Sequence, residues 1–367
     1  LDSDLFVYSQ YADAKRLADL RQALVVRADL TPIAVSQFLY TPQGEILLRR
    51  LGQVIQPESR DTGFYAIRAA LILASSDPEG LTPLNVFRKC PTRGLRIDLQ
   101  RSLQIAGDLE RAITRTNQAT ATLNQLAQLE ALATPIASTT PVPDLASRGA
   151  FSWQKETIRL VDRTRSFVTT LGRERVFPVD VYLPQIRTDR PGQARKIPVV
   201  VISHGLGSDR TTFRYLAEHL ASYGFAVAVP EHPGSNAAQL QALIAGTVSE
   251  AAAPSEFIDR PLDIKYLLDD LTRRAKSDPR YGRLNLEQVG VLGQSFGGYT
   301  VLALAGALIN FEQLQKDCDA QALDNTLNLS VLLQCRANAL PRLDYGLQDS
   351  RVKAIVAINP IDSAVLG

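Results

Sequence analysis

The feature that most restricts the fold is a strand, a tight turn and a helix that follow one another without a break. The apolar residues 289–292 lead directly into Gly-Gln-Ser-Phe-Gly-Gly at positions 293–298, and an apolar stretch continues to residue 308. Glycines let the chain turn sharply and let the helix lie close to the strand that precedes it. A helix that folds back in this way is typical of a sheet whose parallel strands are connected by helices.

The chain from residue 150 onward repeats this alternation of strands and helices. Strands are predicted at residues 157–161, 178–183, 199–202, 225–229, 289–292 and 352–358, and helices at 211–223, 261–276 and 298–308. The first two strands are expected to form a hairpin. The β-branched run 199–202 is typical of a strand buried on both faces, whereas the Asp and Arg residues of 261–276 are expected on the outer face of their helix. We therefore predict an α/β fold with a mainly parallel sheet and helices on both faces.

Residues 1–132 follow a different pattern, which predicts an all-helical N-terminal domain. Apolar residues recur at spacings of three and four in segments 11–27, 32–38, 45–55, 64–74 and 99–132, with a short extended piece at 95–98. Residues 133–149 are rich in Pro, Ser and Thr, which favours a linker before an α/β domain at 150–367. The helical domain is expected either to cover a substrate cleft as a lid or to serve as a docking module.

Charge and composition exclude several classes of function. The formal net charge of the 367 residues is +2, so we expect no field that would recruit nucleic acid. The sequence contains no run of about 18 apolar residues, so no membrane span is predicted. It contains no phosphate-binding loop, no metal-ligand spacing and no cofactor motif, and we expect neither a metal nor a cofactor. The sequence does not determine an oligomeric state.

The cysteines and the absence of methionine bear on where the protein is found. Cys318 and Cys335 lie close together in the sequence, and they either form a disulfide or remain two thiols. No methionine is present, even at position 1, which a removed signal peptide and a shortened chain explain equally well. A disulfide would imply an oxidising compartment. We predict that the protein is exported to the periplasm or the extracellular medium.

The turn at 293–297 has the pattern Gly-x-Ser-x-Gly, which is the nucleophile elbow, and it makes Ser295 the predicted nucleophile. The serine sits on a strained turn between small neighbours, and the helix N-terminus that follows favours negative charge near its oxygen. An acyl-transfer enzyme also needs donors for an oxyanion. We predict that these are the backbone N–H of Phe296, directly after the nucleophile, and that of Leu206, between glycines in the loop after strand 199–202.

Three stretches and the elbow carry a resemblance to a known family. They read Val-Ile-Ser-His-Gly-Leu-Gly-Ser-Asp-Arg at 201–210, Leu-Ala-Ser-Tyr-Gly-Phe-Ala-Val-Ala at 220–228 and Glu-His at 231–232. Together they resemble the platelet-activating-factor acetylhydrolases and the dienelactone-hydrolase-like branch of the α/β-hydrolases. The resemblance implies a serine hydrolase of small-molecule esters, lipid or other acyl esters, with an oxyanion hole at Leu206 and Phe296. Dienelactone hydrolases have a cysteine where Ser295 stands, which favours esterase or lipase chemistry here.

The N-terminal segment carries a second resemblance. Residues 1–130 are similar to an uncharacterised domain that precedes such hydrolases in exported cyanobacterial proteins. This resemblance implies no role for the segment.

A serine nucleophile needs a general base, and the histidines of this chain do not follow the order expected for one. The triad of this fold runs Ser, then Asp or Glu, then His, but His204, His219 and His232 all precede Ser295. His204 and His232 are expected either to contact substrate at the cleft or to brace their loops. His219 is expected to lie partly buried on a helix.

The sequence does not identify the triad acid either. Asp362 follows the last predicted strand and is a candidate, whereas the resembling acetylhydrolases would place an acid near Asn359. The simplest expectation is that the acid and the histidine lie beyond residue 367. The alternative is a catalytically inactive binding or interaction protein that has kept the hydrolase scaffold.

Overall fold

The computed structural model describes residues 14–133, 144–165, 174–186, 196–319, 322–323 and 328–366. The chain divides into two compact units, one of Leu1–Leu39 and Gly44–Asp144 and one of Tyr40–Gln43 and Leu145–Gly367. Most of the predicted linker, residues 134–143, lies outside the described residues. The predicted domain limits and the lid or docking role therefore stay predictions.

The N-terminal part of the chain is predominantly helical. Its helices are α1 (Ala14–Val25), α2 (Pro32–Leu39), α3 (Pro42–Val54), α4 (Phe64–Ser75), α5 (Pro83–Arg88) and α6 (Leu99–Ala133). The start of α2 follows from its sequence, because Thr31 Oγ1 accepts the N–H of Ala34 and Pro32 occupies the first turn. Two short strands, β1 (Ile55–Pro57) and β2 (Leu95–Ile97), pair antiparallel. The prediction of an all-helical region is therefore corrected by a small two-stranded sheet.

The C-terminal unit is built on one six-stranded sheet. Its strands are β3 (Trp153–Asp162), β4 (Arg175–Pro184), β5 (Ile197–Ser203), β6 (Ala226–Pro230), β7 (Leu284–Gln294) and β8 (Val352–Ile358). They lie in the order β3-β4-β6-β5-β7-β8. The first two form the predicted antiparallel hairpin and β4 pairs antiparallel with β6, while β6, β5, β7 and β8 run parallel. The prediction of a mainly parallel sheet is confirmed.

Helices cover both faces of this sheet. They are α7 (Arg214–Ser222), α8 (Ala237–Ile244), α9 (Glu256–Ser277), α10 (Phe296–Ala305), α11 (Phe311–Asp317) and α12 (Leu329–Gln334), followed by a 3-10 turn at Cys335–Ala339. Successive residues of a strand point to opposite faces. Val201 accordingly packs in a core with residues of α9 and α10, whereas Ile202 packs in another with Ala217 and Ala221 of α7. Burial on both faces explains the continuous apolar runs of the central strands.

Helix α9 begins earlier than its sequence pattern predicts and contains Pro261 in its interior. Proline has no backbone N–H, so the carbonyl of Phe257, one turn earlier, loses its helical donor. The hydroxyl of Tyr299 on α10 donates to that carbonyl at 2.8 Å, and both residues are fully buried. The prediction that the Asp and Arg side chains of this helix face outward is wrong for Asp263, which is also fully buried.

Cys318 at the end of α11 and Cys335 are joined by a disulfide, with their Cα atoms 5.4 Å apart. Of the two alternatives that the sequence left open, the structure therefore shows the bridge. The neighbouring Gln334 is buried, and its side-chain oxygen accepts the N–H groups of Ala364 and Val365. The insertion between α10 and β8 is thus tied to the segment that follows β8. No described helix combines the length and the apolar character needed to cross a membrane.

Replacing Tyr299 by Phe should lower the free energy of unfolding by about 1–2 kcal/mol, because the buried Phe257 carbonyl is left without a donor. Urea titration followed by circular dichroism measures the change. Tyr215→Phe, at an exposed position on α7, is the matched control and should leave the free energy of unfolding unchanged. Equal stability of the two variants would contradict this account of the proline inside α9.

Candidate active site

Ser295 occupies the turn between β7 and α10 in a backbone conformation that a residue with a side chain rarely adopts. Its φ is 55° and its ψ is −116°. The flanking glycines are required by space, because a Cβ on Gly293 would lie 2.0 Å from the carbonyl oxygen of Gly297. A Cβ on Gly297 would lie 2.1 Å from the carbonyl oxygen of Ser203. The elbow is therefore closely packed, while Ser295 itself is partly exposed.

The segment that follows β8 holds this turn in place. The N–H of Ser295 donates to the carbonyl of Ile358 at 2.9 Å, and the N–H of Ile361 donates to the carbonyl of Ser295 at 3.3 Å. Asn359 in the same segment has a φ of 44°, in the left-handed region. Asp362 comes next in the chain and is half-buried. Its role as the triad acid stays a prediction.

The loop after β5 passes directly beside Ser295. A Cβ on Gly205 would lie 3.4 Å from the Cβ of Ser295 and 2.7 Å from Oε1 of Gln294, so a larger residue here would have to displace the end of the Gln294 side chain. The loop turns at Gly207, whose φ is 70° and whose N–H donates to the carbonyl of Ser235. The structure thus brings Leu206, which follows Gly205 in this loop, and the start of α10 to the two sides of Ser295.

The backbone N–H groups of Leu206 and Phe296 have no hydrogen-bond acceptor among the residues that the structure describes. Backbone donors left free beside a nucleophile are what an oxyanion hole needs. Phe296 is the first residue of α10, so its N–H also carries the partial positive charge of a helix N-terminus. The arrangement can therefore receive a negative charge that develops next to Ser295.

His204 is fully buried beneath this loop rather than exposed in a cleft. Its Nε2 accepts the backbone N–H of His232 at 3.0 Å, so the proton is on Nδ1, which donates to the carbonyl of Gly205 at 2.8 Å. Burial lowers the pKa of His204 to about 2, so the ring is neutral at pH 7. Of the two alternatives predicted for His204, the hydrogen bonds of both ring nitrogens fit the brace of the loop.

His232 is also fully buried, and its hydrogen bonds likewise fit the brace among its two predicted alternatives. Its Nδ1–H donates to Oδ2 of Asp263 at 2.8 Å, and its Nε2 accepts the Ser203 hydroxyl at 3.0 Å. Burial, together with the nearby Arg260 charge, lowers the pKa of His232 to about 3. Burial alone would raise the pKa of Asp263, but the Arg175 and Arg165 guanidiniums hold it well below its usual range.

Ser203, His232 and Asp263 repeat the chemical order of a catalytic triad, but they cannot act as one. Ser203 is fully buried, and its Oγ also accepts a hydrogen bond from Arg260 at 3.3 Å, so no substrate reaches it. These three side chains brace the start of the loop instead. His219 lies on α7, half-buried against Tyr223. None of the three histidines is hydrogen bonded to Ser295.

A cluster of buried charged side chains, which the sequence did not predict, lies behind these histidines. Its members are Asp162, Arg165, Arg175, Glu256, Asp259, Arg260 and Asp263. A signal was present in α9, because Glu256, Asp259 and Asp263 recur at spacings of three and four and so share one helix face. Within the described ranges, no His, Cys, Asp or Glu side chains are grouped so as to hold a metal ion.

The charges of this cluster interlock through short contacts. Arg165 donates from Nη1 to Asp259 Oδ1 at 2.9 Å and also pairs with Asp263. Arg175 donates from Nη1 to Glu256 Oε1 at 2.8 Å and from Nη2 to Asp263 Oδ2 at 3.0 Å. Burial raises the pKa of Asp259 to about 6, against the opposing charge of Arg175. Paired charges at this depth fix the geometry of α9 against β4 and the residues after β3.

Two depressions of about 620 and 320 Å³ adjoin one another at the C-terminal end of α10. Both are lined by Leu308, Ile309, Phe311 and Arg342, and neither includes Ser295. They lie at the opposite end of α10 from Ser295.

Two family comparisons match different parts of the chain. The sequence profile of a family described as an α/β hydrolase of unknown function (DUF1400) matches residues 1–98. The profile of platelet-activating factor acetylhydrolase, isoform II, matches residues 175–259. The second match contains the loop with Leu206 and both buried histidines, and it ends before Ser295.

Among solved structures, a ferulic acid esterase from Streptomyces cinnamoneus is similar, with 22% sequence identity and a TM-score of 0.31. The similarity covers 45% of this chain and 56% of the esterase, so the chain spans little more than half the length of that relative.

The free energy of unfolding should decrease as the pH falls below about 6.5. His204 and His232 stay neutral in the fold but bind protons in the unfolded chain below pH 6.5, so their stabilising contribution is complete above that pH. Asp259 has the opposite effect between pH 3.8, which is its pKa in the unfolded chain, and about pH 6, which is its pKa in the fold. In that range the folded state holds the proton and the unfolded chain does not. Unfolding therefore takes up a net one proton between pH 6 and 4. This uptake changes the free energy of unfolding by about 1.4 kcal/mol per pH unit.

Urea unfolding at pH 7.5, 6.5, 5.5 and 4.5 measures this dependence. Asp259→Asn removes the opposing contribution and should make the decrease steeper. A free energy that stayed constant or rose on acidification would show that the two histidines are not held neutral.

Proposed function

We propose that this chain, an α/β-hydrolase of the platelet-activating-factor-acetylhydrolase-like family, cleaves carboxylic esters through an acyl-enzyme on Ser295. The observation that carries the proposal is the strained serine at the turn between β7 and α10. The proposal is supported by the backbone N–H groups of Leu206 and Phe296, which have no acceptor in the described part of the chain and flank the same turn. The matches to two hydrolase families support the hydrolase class, and the ester specificity is our proposal.

In the proposed reaction, Ser295 Oγ attacks the ester carbonyl and its proton passes to a general base. The carbonyl oxygen becomes an oxyanion that accepts hydrogen bonds from the two backbone amides. Collapse of this intermediate expels the alcohol, which takes a proton, and water then hydrolyses the acyl-enzyme by the same steps. None of the three histidines of this chain is hydrogen bonded to Ser295, so we propose that none of them is the base, and Asp362 is the candidate acid among residues 1–367.

The substrate class and the location of the protein in or outside the cell are also proposals. The match to platelet-activating factor acetylhydrolase over residues 175–259 favours lipid or other acyl esters. The disulfide between Cys318 and Cys335 favours an oxidising compartment and so an exported protein. The alternative function is a catalytically inactive binding protein, and it is favoured by one observation, namely that no histidine of this chain is hydrogen bonded to Ser295.

A fluorophosphonate probe should label the full-length natural protein at Ser295, as located by peptide mass spectrometry. Ser295→Ala should lose the labelling and should hydrolyse p-nitrophenyl esters more than about a thousandfold more slowly, because the nucleophile is gone. Ser277→Ala, at the exposed end of α9, is the matched control and should behave as the wild type.

Three outcomes of the labelling experiment separate the alternatives. Labelling of Ser295 together with ester hydrolysis supports the enzyme. Wild-type protein that is folded but neither labelled nor active would favour the binding protein. Labelling at Ser203 would show that the buried Ser-His-Asp chain is accessible and would contradict the assignment of the nucleophile.

A further inference from the structure

Arg260 differs from the other two arginines of the buried cluster in what it contacts. It is fully buried, yet within the described ranges it makes no ion pair, whereas Arg165 and Arg175 each contact carboxylates directly. All of its hydrogen bonds go to neutral oxygens: Thr300 Oγ1 at 3.1 Å, Ser235 Oγ at 2.8 Å, Ser203 Oγ at 3.3 Å and the carbonyl of His204. Burying a guanidinium in this way is costly, so its retention needs a reason.

The acceptors of Arg260 belong to the two elements that flank the nucleophile. Ser203 and His204 lie immediately before Gly205 and Leu206, so two of these bonds fix the start of the loop beside Ser295. Thr300 lies on α10, one turn after the nucleophile, and its hydroxyl also donates to the carbonyl of Phe296 at 2.9 Å. One planar guanidinium therefore bridges the loop and the helix.

The aromatic ring of Phe296 completes this bridge on the side of the helix. The guanidinium carbon of Arg260 lies 4.7 Å from the centre of that ring, within the range of a cation–π contact. The same residue carries one of the two free backbone donors beside Ser295. Arg260 thus contacts the element of each donor, directly or through a single hydroxyl.

We propose that Arg260 is a positioning residue, which sets the separation of the Leu206 and Phe296 backbone donors around the oxyanion. The inference rests on the proposed function, because it assigns a task within that reaction. Oxyanion donors are effective only when they are held in place before the charge develops. Displacement of a reacting group by about 1 Å costs on the order of a hundredfold in rate.

The carboxylates of Glu256 and Asp263 do not contact the Arg260 guanidinium, so no ion pair with them neutralises its charge. Ser235 donates to Glu256 Oε2 at 2.7 Å, while Ser203 donates to His232, which in turn donates to Asp263. At least one side chain therefore separates Arg260 from each of these carboxylates. Lysine can replace this arrangement only in part, because a single ammonium group cannot reach acceptors on both elements in the geometry of a rigid fork.

Arg260→Met and Arg260→Lys in the full-length natural protein test the role. We expect Arg260→Met to lower kcat for a p-nitrophenyl ester about a hundredfold with KM changed less than threefold, because the donors act on the transition state. Arg260→Lys should recover about tenfold of that loss. Arg274→Met is the matched control at a partly exposed position of the same helix, where Arg274 pairs with Asp270, and it should keep the wild-type kcat.

Fluorophosphonate labelling distinguishes a positioning role from simple loss of structure. A positioning role predicts that every molecule of Arg260→Met is still labelled at Ser295 at long times, but with a rate constant lower by about a hundredfold. A purely structural role predicts the opposite, namely an incomplete end point with an unchanged rate constant for the molecules that remain folded. The second result would overturn the proposal.

Thr300 gives a milder test if both Arg260 variants fail to fold. Thr300→Val removes the acceptor on α10 and should lower kcat about five- to tenfold at unchanged KM, whereas Thr300→Ser keeps the hydroxyl and should keep the wild-type kcat. Equal kcat values for these two variants would overturn the proposal. Failure of the proposed function is separate, because the wild-type protein itself would then be neither labelled nor active.

Discussion

The left-handed backbone of Ser295 is the constraint on which the rest of the C-terminal unit depends. A residue with a side chain in that region costs on the order of 1–3 kcal/mol and persists only where its surroundings fix it. Here the surroundings are the glycines on either side, which allow β7 and α10 to meet, and the backbone bonds to Ile358 and Ile361. The last residue of β8 supplies one of those bonds and the segment after β8 supplies the other, so the turn depends on the pairing of β8 with β7.

The loop beside Ser295 is held by hydrogen bonds from polar side chains that are fully buried. The ring nitrogens of His204 are hydrogen bonded to backbone groups, and those of His232 to Ser203 and Asp263. Neither histidine is therefore left free for a reacting group. Asp263 is in turn held ionised by two arginines from the ends of β3 and β4. The geometry around Ser295 is therefore linked to ion pairs made between residues about one hundred positions apart.

Much of the fold was predictable because its signals are local. The elbow was predicted from six consecutive residues, and β8 has the bounds that its apolar run indicated. The buried charges of α9 were not predictable in the same way. An Asp or Arg on a helix is normally solvated, and whether Asp263 is buried depends on whether Arg165 and Arg175 reach it from strands far away in the sequence.

The sequence by itself determined the order of strands and helices, the position of the nucleophile turn and the loop that faces it, because periodicity and glycine spacing act over a few residues. Only the tertiary structure decided that Cys318 and Cys335 are bridged, since a disulfide depends on the distance between two Cα atoms. It also decided that His204 and His232 are braces, since a histidine has the same sequence signature in a cleft and in a core. Burial and hydrogen-bond partners distinguish the two, and both depend on long-range packing.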